Sequence, residues 1–132
     1  MYMGSSEAET MGSVLLIEDD NELVALFETV LRKARCQFTA AGTLADAQDL
    51  LAEDHFDVAI CDLSVIGEAN LGDTISNIRA EQPNISILIA TGFAPARVVA
   101  SLNGTGVDIL EKPFTPVDLV SRISALLQSK AA

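Results

Sequence analysis

The sequence has few of the residues that build zinc sites and disulfide frameworks. Its 132 residues include one histidine and two cysteines. Two cysteines are too few for a disulfide framework, and Cys36 and Cys61 both lie in apolar segments typical of strands. We therefore expect buried free thiols in a reducing cytoplasm. His55 lies in a polar segment after a helical pattern, where we expect a solvated surface residue.

Positive charge and long apolar runs are also scarce. There are 8 basic residues against 19 acidic ones, which gives a formal net charge of -11. Such a chain repels nucleic acid and anionic membranes, so we expect no direct contact with either. The richest basic stretch, residues 32–35, suits the cationic end of a helix. No apolar run approaches the ~20 residues that a membrane helix needs.

The N-terminal segment differs in composition from the rest of the chain. Residues 1–12 are small and polar and lack the apolar segment of a signal peptide. We expect a flexible leader, or a remnant of cloning, followed by one domain over residues 13–129. The hydrophobic content of 49% is enough for a core, and the length suits a single domain.

Short apolar runs alternate with helical patterns along the remaining chain. The predicted strands are residues 14–17, 36–40, 57–61, 85–90 and 107–110. Each strand is followed by a helical pattern, the first over residues 21–33. This alternation predicts an α/β protein, a flavodoxin-like doubly wound parallel sheet with strand order 2-1-3-4-5. Strands 1 and 3 are then neighbours, and the crevice at their carboxyl ends is the expected site.

Charged residues follow three of these strands. Glu18, Asp19 and Asp20 follow the first strand, Asp62 follows the third, and Lys112 follows the fifth. Carboxylates at one sheet edge repel one another unless a divalent cation or a shared proton intervenes. Hard oxygen ligands suit Mg²⁺ or Mn²⁺, which predicts a metal site with an anion beside the lysine. The alternative is that the acidic residues after strand 1 only cap the first helix.

Asp62 is the candidate nucleophile at this edge. A carboxylate there can accept a phosphoryl group, with Lys112 paired to a phosphoryl oxygen. Thr91 ends the fourth strand, and its hydroxyl can bond to the same group. Each of these residues also has an ordinary structural interpretation when it is considered alone. Asp62 then suits a turn, Lys112 an exposed surface and Thr91 the end of a strand.

Taken together, these residues resemble the receiver domain of bacterial two-component response regulators. The resemblance covers residues 14–128, and the segments that carry it are 14–20, 56–63, 87–92 and 111–114. It implies that Asp62 is the phosphoacceptor, that Thr91 is the switch hydroxyl and that Lys112 contacts the phosphoryl group. It also implies a cis peptide bond between Lys112 and Pro113.

The resemblance further implies a cofactor and its ligands. Mg²⁺ is expected on Asp62 and Asp19 directly, on Glu18 through water, and on the backbone carbonyl of Ser64. The implied protein is no enzyme beyond catalysing its own phosphorylation and dephosphorylation. The implied partner is a histidine kinase or a histidine phosphotransfer domain that docks near the first helix. Phosphorylation is expected to switch the surface of helix 4, strand 5 and helix 5, with possible homodimer formation.

Three positions depart from the family pattern. Ile66 replaces a proline four residues after the acceptor, and the nearest glycine match, Gly72, lies ten residues on instead of eight. We infer an altered, slightly longer loop beside the site. Ile109 replaces the aromatic residue three before the lysine, so the usual aromatic rotamer switch cannot operate. Phe93, two residues after Thr91, is bulky enough to shield the phosphoryl group from water.

Two other classes of function stay open at this point. One is a pseudo-receiver that binds partners without phosphorylation, which the departures favour and the intact acceptor pattern opposes. The other is a flavodoxin-type redox carrier, which needs a hydroxyl- and glycine-rich phosphate loop where this chain has Glu18-Asp19-Asp20. The sequence also leaves open a stand-alone receiver or a fragment of a hybrid kinase or larger regulator.

Overall fold

The protein folds around one parallel sheet. The structure, a computed structural model, describes the backbone of residues 10–131 and the side chains of residues 10–129. Within this range the strands are β1 (Gly12–Ile17), β2 (Cys36–Ala41), β3 (Val58–Asp62), β4 (Ser86–Thr91) and β5 (Asp108–Glu111). All neighbouring pairs are parallel and the order is β2-β1-β3-β4-β5, which confirms the predicted flavodoxin-like topology.

Helices cover both faces of the sheet. They are α1 (Asn21–Lys33), α2 (Leu44–Glu53), α3 (Leu71–Glu81), α4 (Ala96–Leu102) and α5 (Pro116–Ala131). Alternate residues of each strand face opposite layers, as a period of two requires. Leu16 and Ile60 pack in the layer of α1 and α5, whereas Leu15 and Ala59 pack in the layer of α2, α3 and α4. The buried strands therefore have nearly continuous apolar sequences.

Side-chain caps define where three helices begin. The Asp20 carboxylate starts α1 by accepting from the backbone N–H groups of Glu22 and Leu23. Thr43 starts α2 by accepting from the Asp46 N–H at 3.1 Å. Thr115 and Asp118 exchange two backbone-to-side-chain bonds of 3.0 Å each at the start of α5. These bonds satisfy amides that a helix leaves unpaired at its N-terminus.

The segment after β3 differs from the predicted loop. It forms a helical turn, Leu63–Ile66, followed by a 3₁₀ turn, Glu68–Asn70. Ile66 is 1% exposed and anchors this segment in the core. Gly67 adopts a φ of 82°, a conformation that favours glycine, whereas Gly72 lies inside α3. The match of Gly72 to the family glycine stays a prediction.

The remaining expectations concern the cysteines, the histidine, the N-terminal segment and membrane helices. Cys36 and Cys61 are free and buried, as predicted, and burial raises the pKa of Cys61 to about 12. The His55 side chain is 75% exposed, also as predicted. The expected leader falls mostly on residues 1–9, outside the described residues, and Gly12 belongs to β1. None of the helices in the described range combines the length and apolarity needed to cross a bilayer.

Candidate functional site

The carboxyl edge of the sheet brings the predicted site residues together. Ile17 of β1 pairs with Cys61 of β3, so the next residue on each strand, Glu18 after β1 and Asp62 at the end of β3, lies at the same edge of the sheet. Lys112 follows β5, and its backbone N–H donates to the Thr91 carbonyl at 2.7 Å. This bond ties the lysine to the end of β4. The peptide bond from Lys112 to the following proline is cis, as predicted.

Lys112 contacts both carboxylates. Its Nζ lies 3.3 Å from Asp62 Oδ2 and 3.6 Å from Glu18 Oε1. Glu18 is 3% exposed and Asp62 is 6% exposed, while the lysine side chain is 24% exposed. Charges held this far from bulk water interact more strongly than a surface pair. One ammonium thus faces two acidic groups, and the cluster needs a further proton or cation to be neutral.

The pKa values of the two carboxyl groups move in opposite directions. Burial raises the pKa of Glu18, and its hydrogen bond with Asp62 and the negative charge there raise it further. Burial also acts to raise the pKa of Asp62, but hydrogen bonds from Glu18 and Ser64 and the Lys112 charge outweigh it, so this pKa lies below its usual value. These directions favour the proton on Glu18 and the ionised form of Asp62, which is the form that a nucleophile requires.

Ser64 contacts the acceptor with two donors. Its backbone N–H and its hydroxyl each donate to Asp62 Oδ1 at 2.9 Å. Both donors are available because Asp62 caps the helical turn that Ser64 enters. Sequence reasoning assigned Ser64 only a backbone carbonyl role and missed the hydroxyl. A serine two residues after a strand-end aspartate was the signal, since such side chains bond locally in turns.

The acidic residues after β1 divide into different roles. The Asp20 side chain caps α1, so the capping alternative is correct for that residue. Glu18 Oε2 instead accepts from the N–H groups of Asp19 and Asp20 at 3.1 Å each, and Oε1 faces Lys112. Asp19 itself is exposed. The capping alternative thus does not explain Glu18, whose carboxyl group is turned into the site.

The predicted metal site is only partly assembled. Among residues 10–129, no group of three or more carboxylate, imidazole or thiol side chains is arranged to hold a metal ion. Glu18 and Asp62 nevertheless supply hard oxygens beside one another, and Mg²⁺ commonly takes one or two carboxylates and keeps its waters. The donor chemistry therefore fits Mg²⁺. The ligand roles of Asp19 and the Ser64 carbonyl stay predictions.

Thr91 does not contact the acceptor in this conformation. Its hydroxyl donates to the Phe93 carbonyl at 2.8 Å and accepts from the Phe93 N–H at 3.2 Å. Phe93 is 72% exposed, and its predicted shielding role stays a prediction. Ile109 is partly buried against the layer of α2, α3 and α4. Thr91, the residue expected to respond to phosphorylation, thus has its hydroxyl hydrogen-bonded to the backbone of a residue two positions on.

A second contact that sequence reasoning missed lies beside the site. Arg97, in the first turn of α4, binds Glu68 through Nε to Oε2 and through Nη2 to Oε1, the latter at 3.0 Å. This bidentate pair joins the segment after the acceptor to α4. The two residues are 29 positions apart and lie on segments separated by α3 and β4, so no local sequence pattern indicates the contact.

Comparison with known proteins identifies the class. The family model for the response regulator receiver domain matches residues 14–124, so the chain belongs to this family. The transcriptional regulatory protein GltR of Pseudomonas aeruginosa is 34% identical over 120 residues, which cover 88% of this chain and 49% of GltR. CpxR of Escherichia coli is 33% identical over 119 residues, covering 89% and 50% respectively.

A solved structure supports the same assignment. The response regulator receiver protein from Sinorhizobium medicae superposes with a TM-score of 0.80 at 29% identity, covering 93% of this chain and 98% of that one. The predicted family is thus confirmed, and neither a redox carrier nor a pseudo-receiver finds support in these likenesses. This chain spans about half the length of the curated relatives GltR and CpxR.

Proposed function

We propose that Asp62 accepts a phosphoryl group from a phosphohistidine on a histidine kinase or a histidine phosphotransfer domain. The observation that carries this proposal is a buried aspartate carboxyl group whose Oδ2 lies 3.3 Å from a lysine ammonium. An Oδ2 lone pair forms the new bond to phosphorus while the bond from phosphorus to the donor nitrogen breaks, and that electron pair leaves with the imidazole.

Charge neutralisation is the main catalytic contribution of the surrounding residues. Lys112 approaches the oxygens of the incoming group, and its tether to Thr91 limits the reorganisation needed during transfer. Mg²⁺, when bound, supplies a second positive charge on the transferring oxygens. Asp62 and Asp19 would hold the ion directly and Glu18 would hold it through water, with the Ser64 backbone carbonyl as a further ligand.

The donor docks where the site meets α1. An apolar groove there has a volume of about 260 Å³ and is lined in part by Lys112. Its apolar lining comes from α1, from the segment after β5 and from the start of α5, namely Leu23, Leu26, Phe27, Val30, Pro113, Phe114, Pro116 and Leu119. Leu26 is 53% exposed and the nearby Val117 is 72% exposed. A helix of the donor domain laid on this groove brings its phosphohistidine within reach of Asp62.

Phosphorylation then shifts the surface formed by α4, β5 and α5. The Thr91 hydroxyl must leave the Phe93 backbone to reach a phosphoryl oxygen, and this exchange is the proposed trigger. Since Ile109 occupies the family's aromatic position, no aromatic rotamer follows the threonine. The shifted surface is the proposed site for a second copy of the domain or another partner.

The relatives' names bear on the cellular setting. GltR and CpxR are named transcriptional regulatory proteins, and this chain matches about half of each. For the receiver domain itself, the net charge of -11 supports a role without direct contact to nucleic acid. We propose cytoplasmic signalling, with no turnover of any substrate beyond its own phosphorylation and dephosphorylation.

Intact mass spectrometry tests the proposal. The protein is incubated with acetyl phosphate and Mg²⁺, beside Asp62→Asn as the matched variant. The wild type is expected to gain the mass of one phosphoryl group and Asp62→Asn to gain none. An unchanged wild-type mass favours the pseudo-receiver alternative, and an equal gain in Asp62→Asn removes Asp62 as the acceptor.

A further inference from the structure

Helices α3 and α4 form a groove that lies outside the acceptor cluster. Its volume is about 480 Å³, which is within the range of small-molecule sites. Neither the carboxyl groups of the acceptor cluster nor Lys112 belongs to its lining. We name this cavity the α3–α4 groove. Its lining combines buried apolar side chains with polar ones, among them Leu71, Ile75, Val98 and Leu102 on the apolar side and Ser76 and Arg79 on the polar side.

The groove carries positive charge in an acidic chain. Two of the 8 basic residues, Arg79 and Arg97, belong to its lining. Arg97 is paired with Glu68, so its charge is compensated within the lining. Arg79 donates through Nη2 to the Thr105 carbonyl at 2.6 Å, and none of the side chains of residues 10–129 forms an ion pair with it. One positive charge in the groove is therefore uncompensated, and it attracts a single negative charge.

Hydrogen-bond donors lie next to one another on the α3 side of the groove. A guanidinium has five N–H donors, and one carbonyl oxygen uses only part of this capacity. Ser76 lies three residues before Arg79, a spacing that makes two side chains neighbours on a helix surface. Within the described part of the chain, the Ser76 hydroxyl has no hydrogen-bond partner. The two side chains can therefore donate to the two oxygens of one carboxylate.

A glycine leaves part of the groove unfilled. Gly72 belongs to the lining and lies in the first turn of α3. Glycine is a poor helix former, and the backbone of Gly72 lacks the positive φ that favours it. A Cβ at this position would meet none of the described atoms within 4 Å beyond its own helical turn. Neither backbone conformation nor packing thus requires glycine here, but a side chain would occupy space in the groove.

We propose that the α3–α4 groove binds a small organic carboxylate that carries an apolar group. The carboxylate lies on Arg79 and Ser76, and the apolar group lies against the buried side chains of α3 and α4. One uncompensated guanidinium matches one negative charge, whereas a phosphate dianion leaves a second charge to be repelled by Glu68. This binding goes beyond the proposed function and does not depend on phosphorylation.

Nuclear magnetic resonance with four probes tests the inference. Amide shifts of the full chain are followed during titration with benzoate, acetate, benzyl alcohol and inorganic phosphate. Benzoate is expected to give saturable shifts clustered in residues 72–79 and 97–105, with an affinity in the millimolar range that suits so small a ligand. Each other probe lacks either the single charge or the apolar group and should bind at least about tenfold more weakly.

Three variants locate the ligand. Gly72→Leu fills the groove and should weaken benzoate binding at least about tenfold, without lowering the unfolding temperature, because leucine is a better helix former than glycine. Asn77→Leu adds the same side chain at an exposed position of α3 outside the lining and should bind like wild type. Arg79→Gln keeps an amide that can donate to the Thr105 carbonyl and should bind about tenfold more weakly.

Several results would overturn the inference. Benzoate shifts that do not saturate, or that centre on other residues, would do so, as would equal affinity for any of the other three probes. Wild-type affinity in a folded Arg79→Gln or in Gly72→Leu, or an equal loss in Asn77→Leu, would also do so. If Arg79→Gln does not fold, Gly72→Leu decides the question. None of these results depends on phosphoryl uptake at Asp62, so a failure here is distinct from a failure of the proposed function.

Discussion

The two halves of the site are organised differently. On the acceptor side, Glu18, Asp62 and Lys112 contact one another through charged atoms. On the response side, the Thr91 hydroxyl is bonded to the backbone of Phe93 and does not reach the acceptor. The charged groups of the acceptor side are thus already in contact, whereas the proposed response requires an existing Thr91 bond to be exchanged. We therefore expect capture of phosphate and transmission of the signal to be separable.

The helices show the same contrast. On the acceptor side, α1 begins at the Asp20 carboxylate, which accepts two backbone N–H groups. On the response side, α4 has seven residues, and Pro95 at its start provides no side-chain cap. Short helices without caps have little stability of their own. The helix expected to move thus lacks the side-chain cap that the helix beside the acceptor has, and it depends on packing of Val98 and Leu102 for its position.

Removing divalent metal is expected to have the largest effect on the acceptor side. Glu18 and Asp62 repel one another once both are ionised, and Lys112 supplies only one compensating charge. Uptake from acetyl phosphate should fall at least about 1,000-fold in excess chelator, because a bound metal stabilises transition-state charge by several kcal/mol. Added Mg²⁺ should restore uptake and raise the unfolding temperature of the wild type.

The matched control is Asp62→Asn, which should show a smaller rise in unfolding temperature with Mg²⁺. Uptake that proceeds at full rate in chelator would contradict the role of metal. An equal rise in unfolding temperature in both proteins would show that Asp62 does not bind the metal.

Removing the lysine charge is the next largest change. Lys112→Gln should lower the rate of uptake by about 100-fold, the scale on which one preorganised donor contributes to a charged transition state. Lys33→Gln, at the exposed end of α1, is the control for lost positive charge and should match wild type. Uptake rates are measured by stopping the reaction at set times and determining the phosphorylated fraction by intact mass spectrometry. Equal losses in both variants would point to a general electrostatic effect.

Thr91→Ala tests whether phosphoryl uptake and the response of α4 are independent of one another. Uptake should stay within about threefold of wild type, because the hydroxyl does not contact Asp62 before transfer. Hydrogen exchange over residues 96–102 should change on phosphorylation in wild type and in Thr91→Ser, and should not change in Thr91→Ala. Loss of uptake in Thr91→Ala would show that the two halves are not separable.

The smallest effect is expected at the pair that spans the two halves. Glu68 and Arg97 join the acceptor segment to α4, but their side chains are 39% and 73% exposed. A double-mutant cycle of Glu68→Gln and Arg97→Gln in denaturant should give a coupling of about 0.5 kcal/mol, as for other exposed pairs. A coupling above about 1.5 kcal/mol would mean that α4 is firmly tied to the acceptor segment.

The acceptor half was the more predictable half from sequence. Apolar runs buried on both faces give parallel strands, and parallel strands place Glu18, Asp62 and Lys112 at one edge regardless of loop detail. The assignment of Asp20 to a helix cap and Glu18 to the site was not predictable, because adjacent carboxylates carry the same charge pattern. The outcome depends on where α1 begins.

The response half was less predictable for a different reason. The Thr91 hydroxyl bonds to the backbone of Phe93, a local side-chain preference that sequence does not encode strongly. The turn after β3 depends on burial of Ile66 and on the positive φ of Gly67. Burial of Ile66 is a result of tertiary packing, so spacing alone indicated an altered loop but not the helical turns that form there.

Locating the phosphoryl group tests the central claim most directly. Borohydride reduces an acyl phosphate and leaves free carboxylates intact, so the residue that carried the phosphoryl group becomes homoserine and is found by peptide mapping. The account predicts homoserine at position 62 in phosphorylated protein and at no position in untreated protein. Homoserine at another position, or none in protein that has gained the mass of a phosphoryl group, would contradict it.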